Sequence, residues 1–190
     1  VTWTPAITNQ AGGIRLSHGS VIVTALQTRQ EILVWTDAAI YSFQYLGAPY
    51  VWGNQLLADN ISVISPNAVT TVNNVTYWMG TDKFYMYSGR VETLPCALRQ
   101  YVYENINMTE AFQVCSGTNE GYNEIWWFYC SASSTTVDKY VIYNYLERTW
   151  YYGTMARSSW LDSPLREQPM ATPYAGTNGQ LVYHETGNDD

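Results

Sequence analysis

Apolar residues in this chain recur in short runs separated by turn residues. The densest run is EIWWFYC, Glu124–Cys130. Runs of roughly four to eight residues rich in aromatic and β-branched side chains, bounded by Gly, Pro, Asn, Asp and Ser, predict strands. On this basis Val21–Gln27, Glu31–Trp35 and Ile40–Leu46 form one group, with Tyr50–Trp52 as a short outer strand. EILVW is nearly continuous, as in a strand buried on both faces. Ala68–Val72, Val75–Met79, Phe84–Tyr87 and Arg90–Leu94 form a second group, turned by Asn73-Asn74 and Ser88-Gly89, which tolerate the positive φ of tight hairpins. Phe112–Ser116, Glu124–Cys130, Asp138–Tyr145 and Thr149–Thr154 form a third, with Gly117–Asn123 as a polar loop. Only Cys96–Asn107 carries helical spacing, through Leu98, Tyr101, Val102 and Ile106. Asn54–Asn60 reads as a helical turn or loop, and Arg157–Pro173, with Pro164, Pro169 and Pro173, as irregular. Trp3 and Ile14–Leu16 are expected to dock as edge pieces. Tyr174 and Leu181–His184 start another hairpin across Thr177-Asn178-Gly179.

The groups repeat. Trp35, Trp78 and Trp127 are spaced 43 and 49 residues apart, and each is followed by a turn and a Tyr-rich strand. A period of about 40–50 residues with four short strands per unit is the signature of a β-propeller blade. The expected fold is therefore all-β and β-propeller-like, with about three four-stranded blades, the start of another and a short helix between blades. A β-sandwich is the alternative, although its turns recur without the longer Trp-to-Trp period. Asp37, Asp82 and Asp138 fall in or beside the middle turn of each group, where a short carboxylate can accept the turn's own amides. The expected organisation is one all-β domain over residues 1–190. The start at Val1 and the ending Thr186–Asp190, directly after a strand-like segment, read as a piece of a longer polypeptide.

Composition narrows the function classes. Aromatics make up 15% and charged residues 13%, about half the ~25% of ordinary soluble domains, so surface polarity rests on Asn, Gln, Ser and Thr. Extracellular and virion surfaces commonly have this character. Of nine cations only Lys83 and Lys139 are lysines, an Arg bias that suits planar contacts at interfaces. The net charge of −7 argues against a grip on nucleic acid, which needs a basic stripe, and against an anionic membrane surface. No apolar run nears the ~20 residues of a membrane span. Cys96, Cys115 and Cys130 show no CxxC spacing and read as buried free thiols.

Catalytic signatures are sparse. His18 lies in a Ser-His-Gly-Ser turn and His184 precedes Glu185 in a strand, and no GxSxG elbow accompanies either. HExxH, Asp-rich calcium loops, GxGxxG and Walker loops are missing, and Asp189-Asp190 offer only a fragment of a metal loop. Glu120 and Glu124, with Glu104 and Glu110 before them, are the carboxylates a glycan hydrolase would need to pair at ~5–9 Å. Trp126 and Trp127 are adjacent and must point to opposite faces of a strand, so both read as core rather than as a sugar platform. The expectation is no enzyme, with no catalytic, cofactor-binding or metal residues and no cofactor.

The ordered runs RQEILVWTD, YWMGTDKFYMYSGRVETLPC, NEIWWFYCS, DKYVIYNYLERTWYYG and LVYHETG resemble those of tailed-bacteriophage virion structural proteins, of the tail tubular or nozzle type and the related packaged-DNA stabilisation proteins. The resemblance covers roughly Arg15 to Asp190. It implies a homo-oligomeric ring, often a hexamer, in the virion tail, assembled in the host cytoplasm. Its implied partners are other tail or head–tail connector proteins. The ring continues the DNA channel, and viral DNA passes without specific binding; an acidic conduit suits that passage. It implies no catalytic residues and no membrane. Two alternatives remain: a host-receptor or carbohydrate-binding module, with Tyr and Trp beside Asn, Asp and Arg in a groove, and a secreted glycan hydrolase.

Overall fold

The computed structural model describes residues 4–173 and 179–187. Trp3, Tyr174, Thr177, Asn178, Asp189 and Asp190 lie outside them, so the expectations placed on those residues have no structural counterpart here. Two compact units divide at Ser62/Val63.

The first unit holds β1 (Ile22–Gln27), β2 (Ile32–Thr36), β3 (Ala39–Tyr45) and β4 (Trp52–Asp59), an antiparallel meander in the order β1-β2-β3-β4. Alternation along β2 and β3 makes two faces. Leu33 pairs with Ser42 and Trp35 with Ile40, and Leu33, Trp35 and Ile40 are fully buried. The other face clusters Val34, Ala39 and Tyr41 with Leu16, Ile32 and Phe43. Leu16 thus docks on a sheet face without joining an edge. Tyr50–Trp52 and Asn54–Asn60 were expected as a short strand and a helical turn, and they are corrected to one eight-residue strand. Its residues are largely polar or exposed, because its backbone ladder to β3, from Tyr45↔Trp52 to Ala39↔Asp59, holds it rather than side-chain burial.

The second unit holds three further sheets. β5 (Val69–Val72), β6 (Val75–Met79), β7 (Phe84–Tyr87) and β8 (Val91–Leu94) form one meander, and β9 (Cys115–Asn119), β10 (Glu124–Tyr129), β11 (Lys139–Asn144) and β12 (Thr149–Thr154) form the next. β13 (Arg157–Leu161), β14 (Met170–Pro173) and β15 (Val182–Tyr183) make a three-stranded sheet. The fold is all-β, and this succession of antiparallel meander sheets is compatible with the β-propeller-like blades that the repeat predicts. Both residues of the Asn73-Asn74 turn have positive φ, 51° and 63°, which gives the primed twist that two-residue hairpins need.

Sheets of the second unit meet face to face near their first strands. The Ser116 amide of β9 donates to Asn67 O, just before β5, at 2.8 Å. Trp160 Nε1 of β13 donates to Thr118 O of β9 at 2.7 Å. Trp127 and Trp126 do point to opposite faces of β10. Trp127 meets Phe84 of β7 at 5.0 Å between ring centroids and donates to Ala68 O at 3.0 Å. Trp126 lies nearly parallel to Trp160 at 5.1 Å, over a core of Cys115, Phe128, Cys130, Val137 and Ile142.

Three further expectations are corrected. The helix α1 spans only Arg99–Asn105, and Lys139 of β11 fastens it by donating to Asn105 Oδ1 at 2.8 Å. Phe112 lies in a 3-10 segment, Met108–Gln113, and not in a strand; β9 starts three residues later and runs through what reads as a polar loop. Arg157–Pro173, read as irregular, contains β13 and β14.

Candidate functional site

The turn aspartates divide: Asp138 accepts an amide of its own turn, and Asp37 acts across segments. Asp37 accepts the Ser20 amide at 2.7 Å and the Ser20 hydroxyl at 2.6 Å, tying the β2–β3 turn to the chain entering β1. The Ser20 hydroxyl, followed by the Ser20 and Val21 amides, holds its carboxyl below the ordinary range. Asp138 makes the same pair of bonds within the β10–β11 turn, accepting the Ser131 amide at 2.7 Å and hydroxyl at 2.6 Å. Asp82 instead faces cations, Lys83 at 3.7 Å and Arg99 at 3.8 Å.

The histidines serve packing. The His18 ring shares a hydrogen bond with Ser17 Oγ at 2.9 Å, and its amide donates to Tyr41 OH at 2.8 Å, which seats the 17–20 turn on β3. His184 accepts from Arg157 Nε at 3.0 Å and packs on Trp160 at 4.6 Å. Burial, then the Arg157 charge, holds its imidazole below the usual value. All three cysteines are free: Cys115 and Cys130 are buried, and Cys96 is half-buried. Burial raises their thiols, Cys115 to about 12 and the other two to about 11, so they are unreactive at neutral pH. Among the described residues no group of three or more His, Cys, Asp or Glu side chains could hold a metal.

Glu120 and Glu124, the candidate carboxylates, bind different partners. Glu120 binds through its backbone amide to Asp162 Oδ2 at 2.7 Å. Glu124 accepts from Trp126 Nε1 at 2.9 Å and shares Asn119 Nδ2 with Glu185, at 3.4 and 3.2 Å. Desolvation raises the Glu124 carboxyl, and the Glu185 charge adds to the rise, against the hydrogen bonds from Trp126 and Asn119. A carboxyl raised on folding binds its proton more tightly in the native state. The native protein therefore loses stability as pH rises from the ordinary carboxylate value through the raised one. Glu124→Gln keeps an acceptor for Trp126 and removes the charge. Its thermal midpoint should exceed that of the parent at pH 8, with the gap closing as pH falls to 4. An equal gap at both pH values would show that the Glu124 charge is not strained.

Two concave surfaces are candidates for binding. In the first unit a cleft of about 760 Å³ lies between residues 9–14 and the sheet, walled by Ile22, Ile32, Val34, Phe43 and Trp52. Beside it Tyr45 and Trp52 meet edge to face at 5.7 Å, and Ile22, Tyr45, Leu46 and Tyr50 are each at least 60% exposed. In the second unit a groove of about 560 Å³ opens between the β5–β8 and β9–β12 sheets, lined by Tyr77, Met86, Glu92, Tyr143, Tyr145 and Arg148 among others. The Tyr77 and Tyr145 rings lie at 6.4 Å and 25°, and Tyr77 and Tyr143 at 6.1 Å. Burial, with Tyr143 and Tyr145 close by, pushes the Tyr77 phenol up to about 12. Sequence reading missed this groove. Its one local trace is Tyr143 and Tyr145, two apart and so on one side of β11 as it enters its turn.

No protein-family model matches this chain, and no curated protein matches it.

Proposed function

We propose that the chain is a structural, non-catalytic protein of a tailed-bacteriophage virion, of the tail tubular or nozzle type. It is a subunit of a homo-oligomeric ring, a hexamer by the family resemblance, that continues the DNA channel and retains or conducts the genome at ejection. The observation that carries this reading is the exposed apolar face of the first unit, where Ile22, Tyr45, Leu46, Tyr50 and Trp52 stand open. Soluble monomers seldom leave so many large apolar side chains together in water, and a ring subunit buries such a face on its neighbour. Two features add support. The runs that resemble the phage family fall on β2, β6–β8, β10, β11–β12 and β15, the strands that frame the successive sheets. The net charge of −7 suits a wall that phosphates slide past. Other tail or head–tail connector proteins are the partners above and below the ring, the place is the virion tail, and assembly occurs in the host cytoplasm.

Electron-microscopy class averages of the purified assembly test this reading. A rotationally symmetric ring with an open channel is expected, and Tyr45→Lys with Trp52→Lys should disperse it. A monodisperse monomer at micromolar concentration would overturn the proposal.

A further inference from the structure

We propose that the groove between the β5–β8 and β9–β12 sheets is a binding site for a neutral saccharide. Its pyranose face would lie on the Tyr145 ring, the one of the three tyrosines that is not buried, and its hydroxyls would reach Glu92, Arg148 and the phenol oxygens. The argument rests on groups that converge without satisfying one another. The hydroxyls of Tyr77, Tyr143 and Tyr145 have no hydrogen-bond partner among the described residues. Arg148 belongs to none of the ion pairs found among them, which join Lys83 and Arg99 to Asp82 and Arg90 to Glu92. Arg148 sits in the β11–β12 turn with φ of 59°, fixed by its amide donating to Asn144 O at 2.8 Å, so the backbone under its side chain is set. Glu92 gives one oxygen to Arg90 at 2.7 Å, which leaves the other to accept.

This combination selects a class of ligand. Aromatic and thioether walls from the tyrosines and Met86 favour a flat C–H surface. Phenols both donate and accept, a guanidinium only donates and a carboxylate only accepts, so the rim suits a ligand studded with hydroxyls. A carboxylate or phosphate ligand would satisfy Arg148 but would meet Glu92 at the same rim. An apolar peptide would leave Arg148, Glu92 and three phenols unpaired on binding. A pyranose ring alone among these offers an apolar face and an edge of donors and acceptors. A pocket with apolar walls and a few convergent polar groups is the common form of a small-ligand site. This inference goes beyond the ring reading and does not depend on it: a tail subunit with this groove on its surface would also touch host glycans.

The test uses the 190-residue chain, titrated by calorimetry and saturation-transfer NMR with maltohexaose, cellohexaose, mannohexaose and the acidic probe trigalacturonate. At least one neutral hexasaccharide should bind, with ring C–H protons receiving the saturation. Tyr145→Ala and Arg148→Asn should each weaken it about tenfold or more, and Tyr145→Phe about threefold. Asn accepts the left-handed backbone at position 148, so that variant leaves the turn intact. Tyr151→Ala, an exposed tyrosine outside the groove lining, should bind as the parent does. Unchanged affinity in both Tyr145→Ala and Arg148→Asn would place binding elsewhere and overturn the assignment. Binding of trigalacturonate alone would overturn the neutral ligand class. Binding of none of the four probes at ~10 mM, weaker than roughly 3 kcal/mol, would overturn the site itself. Each of these failures leaves the ring proposal standing, because binding is read without reference to assembly.

Discussion

Trp127→Ala should destabilise the second unit by about 3–5 kcal/mol, the range for deleting a large aromatic from a core. Trp127 is fully buried in the middle of β10 and faces the β5–β8 sheet. Its ring meets Phe84 at 5.0 Å and lies nearly parallel to Trp150 at 6.1 Å, so one truncation opens a cavity shared by two sheets. The indole N–H is also the donor to Ala68 O at 3.0 Å, at the entry to β5. Removing it leaves Ala68 O with only the Met79 amide, at 3.2 Å, as donor, and the loss of one hydrogen bond costs about 1 kcal/mol. The thermal midpoint, followed by near-ultraviolet circular dichroism, should fall by roughly 10 °C or more. Trp127→Phe separates the two terms. It keeps most of the ring contact and loses the donor, so it should cost roughly half as much as Trp127→Ala. Equal costs for both variants would mean that the hydrogen bond, and not the packing of sheet on sheet, joins these two elements.

How far the sequence speaks depends on whether side chains or backbone define an element. β6, β7 and β12 are legible to the residue, because apolar and aromatic runs are bracketed by Asn-Asn, Ser-Gly and Glu-Arg turns. β4 is hidden: WGNQLLAD carries Gly, Asn and Gln in a strand whose outer residues stay exposed, and its pairing with β3 is written in the backbone alone. β13 and β14 hide in the same way among prolines and serines. Phe112 misleads in the opposite sense, since it is 66% exposed in a 3-10 segment where its character suggested a strand. The tyrosine groove is the hardest feature to foresee. Tyr77 comes from β6 while Tyr143 and Tyr145 come from β11 and its turn, and no local pattern states which faces of two sheets will meet. Glu124 was legible as a candidate carboxylate, but its partner was not. Glu185 reaches it through Asn119, 66 residues before Glu185 in the chain, from a position of positive φ, 57°.

Gly117→Val should cost about 3 kcal/mol, the strong end of overpacking, and should do so only while Trp160 is present. Gly117 lies in β9 opposite Trp126. A Cβ built on it would overlap Cδ1, Cγ and Cβ of Trp160 on the facing β13 strand. Trp160 has little freedom to retreat. Its ring is stacked on Trp126 at 5.1 Å and 14°, His184 packs on it at 4.6 Å, and its N–H is held by Thr118 O at 2.7 Å. The overlap also involves the Trp160 Cβ, which moves only with the β13 backbone, so relief requires the sheets to separate and not merely a rotamer to change. Glycine inside a strand ordinarily weakens it, and here it is the condition for close approach of the next sheet. A double-mutant cycle isolates this contact. Trp160→Ala alone should cost about 3–5 kcal/mol by the loss of its stacking and burial. In the Trp160→Ala background, Gly117→Val should cost close to nothing, because the valine enters space the indole has vacated and suits a strand better than glycine. The expected coupling is therefore about 3 kcal/mol, at the top of the range for residues in direct contact. Additive costs, measured by urea denaturation of the four proteins, would mean that the β9–β13 packing is not what requires a glycine at position 117.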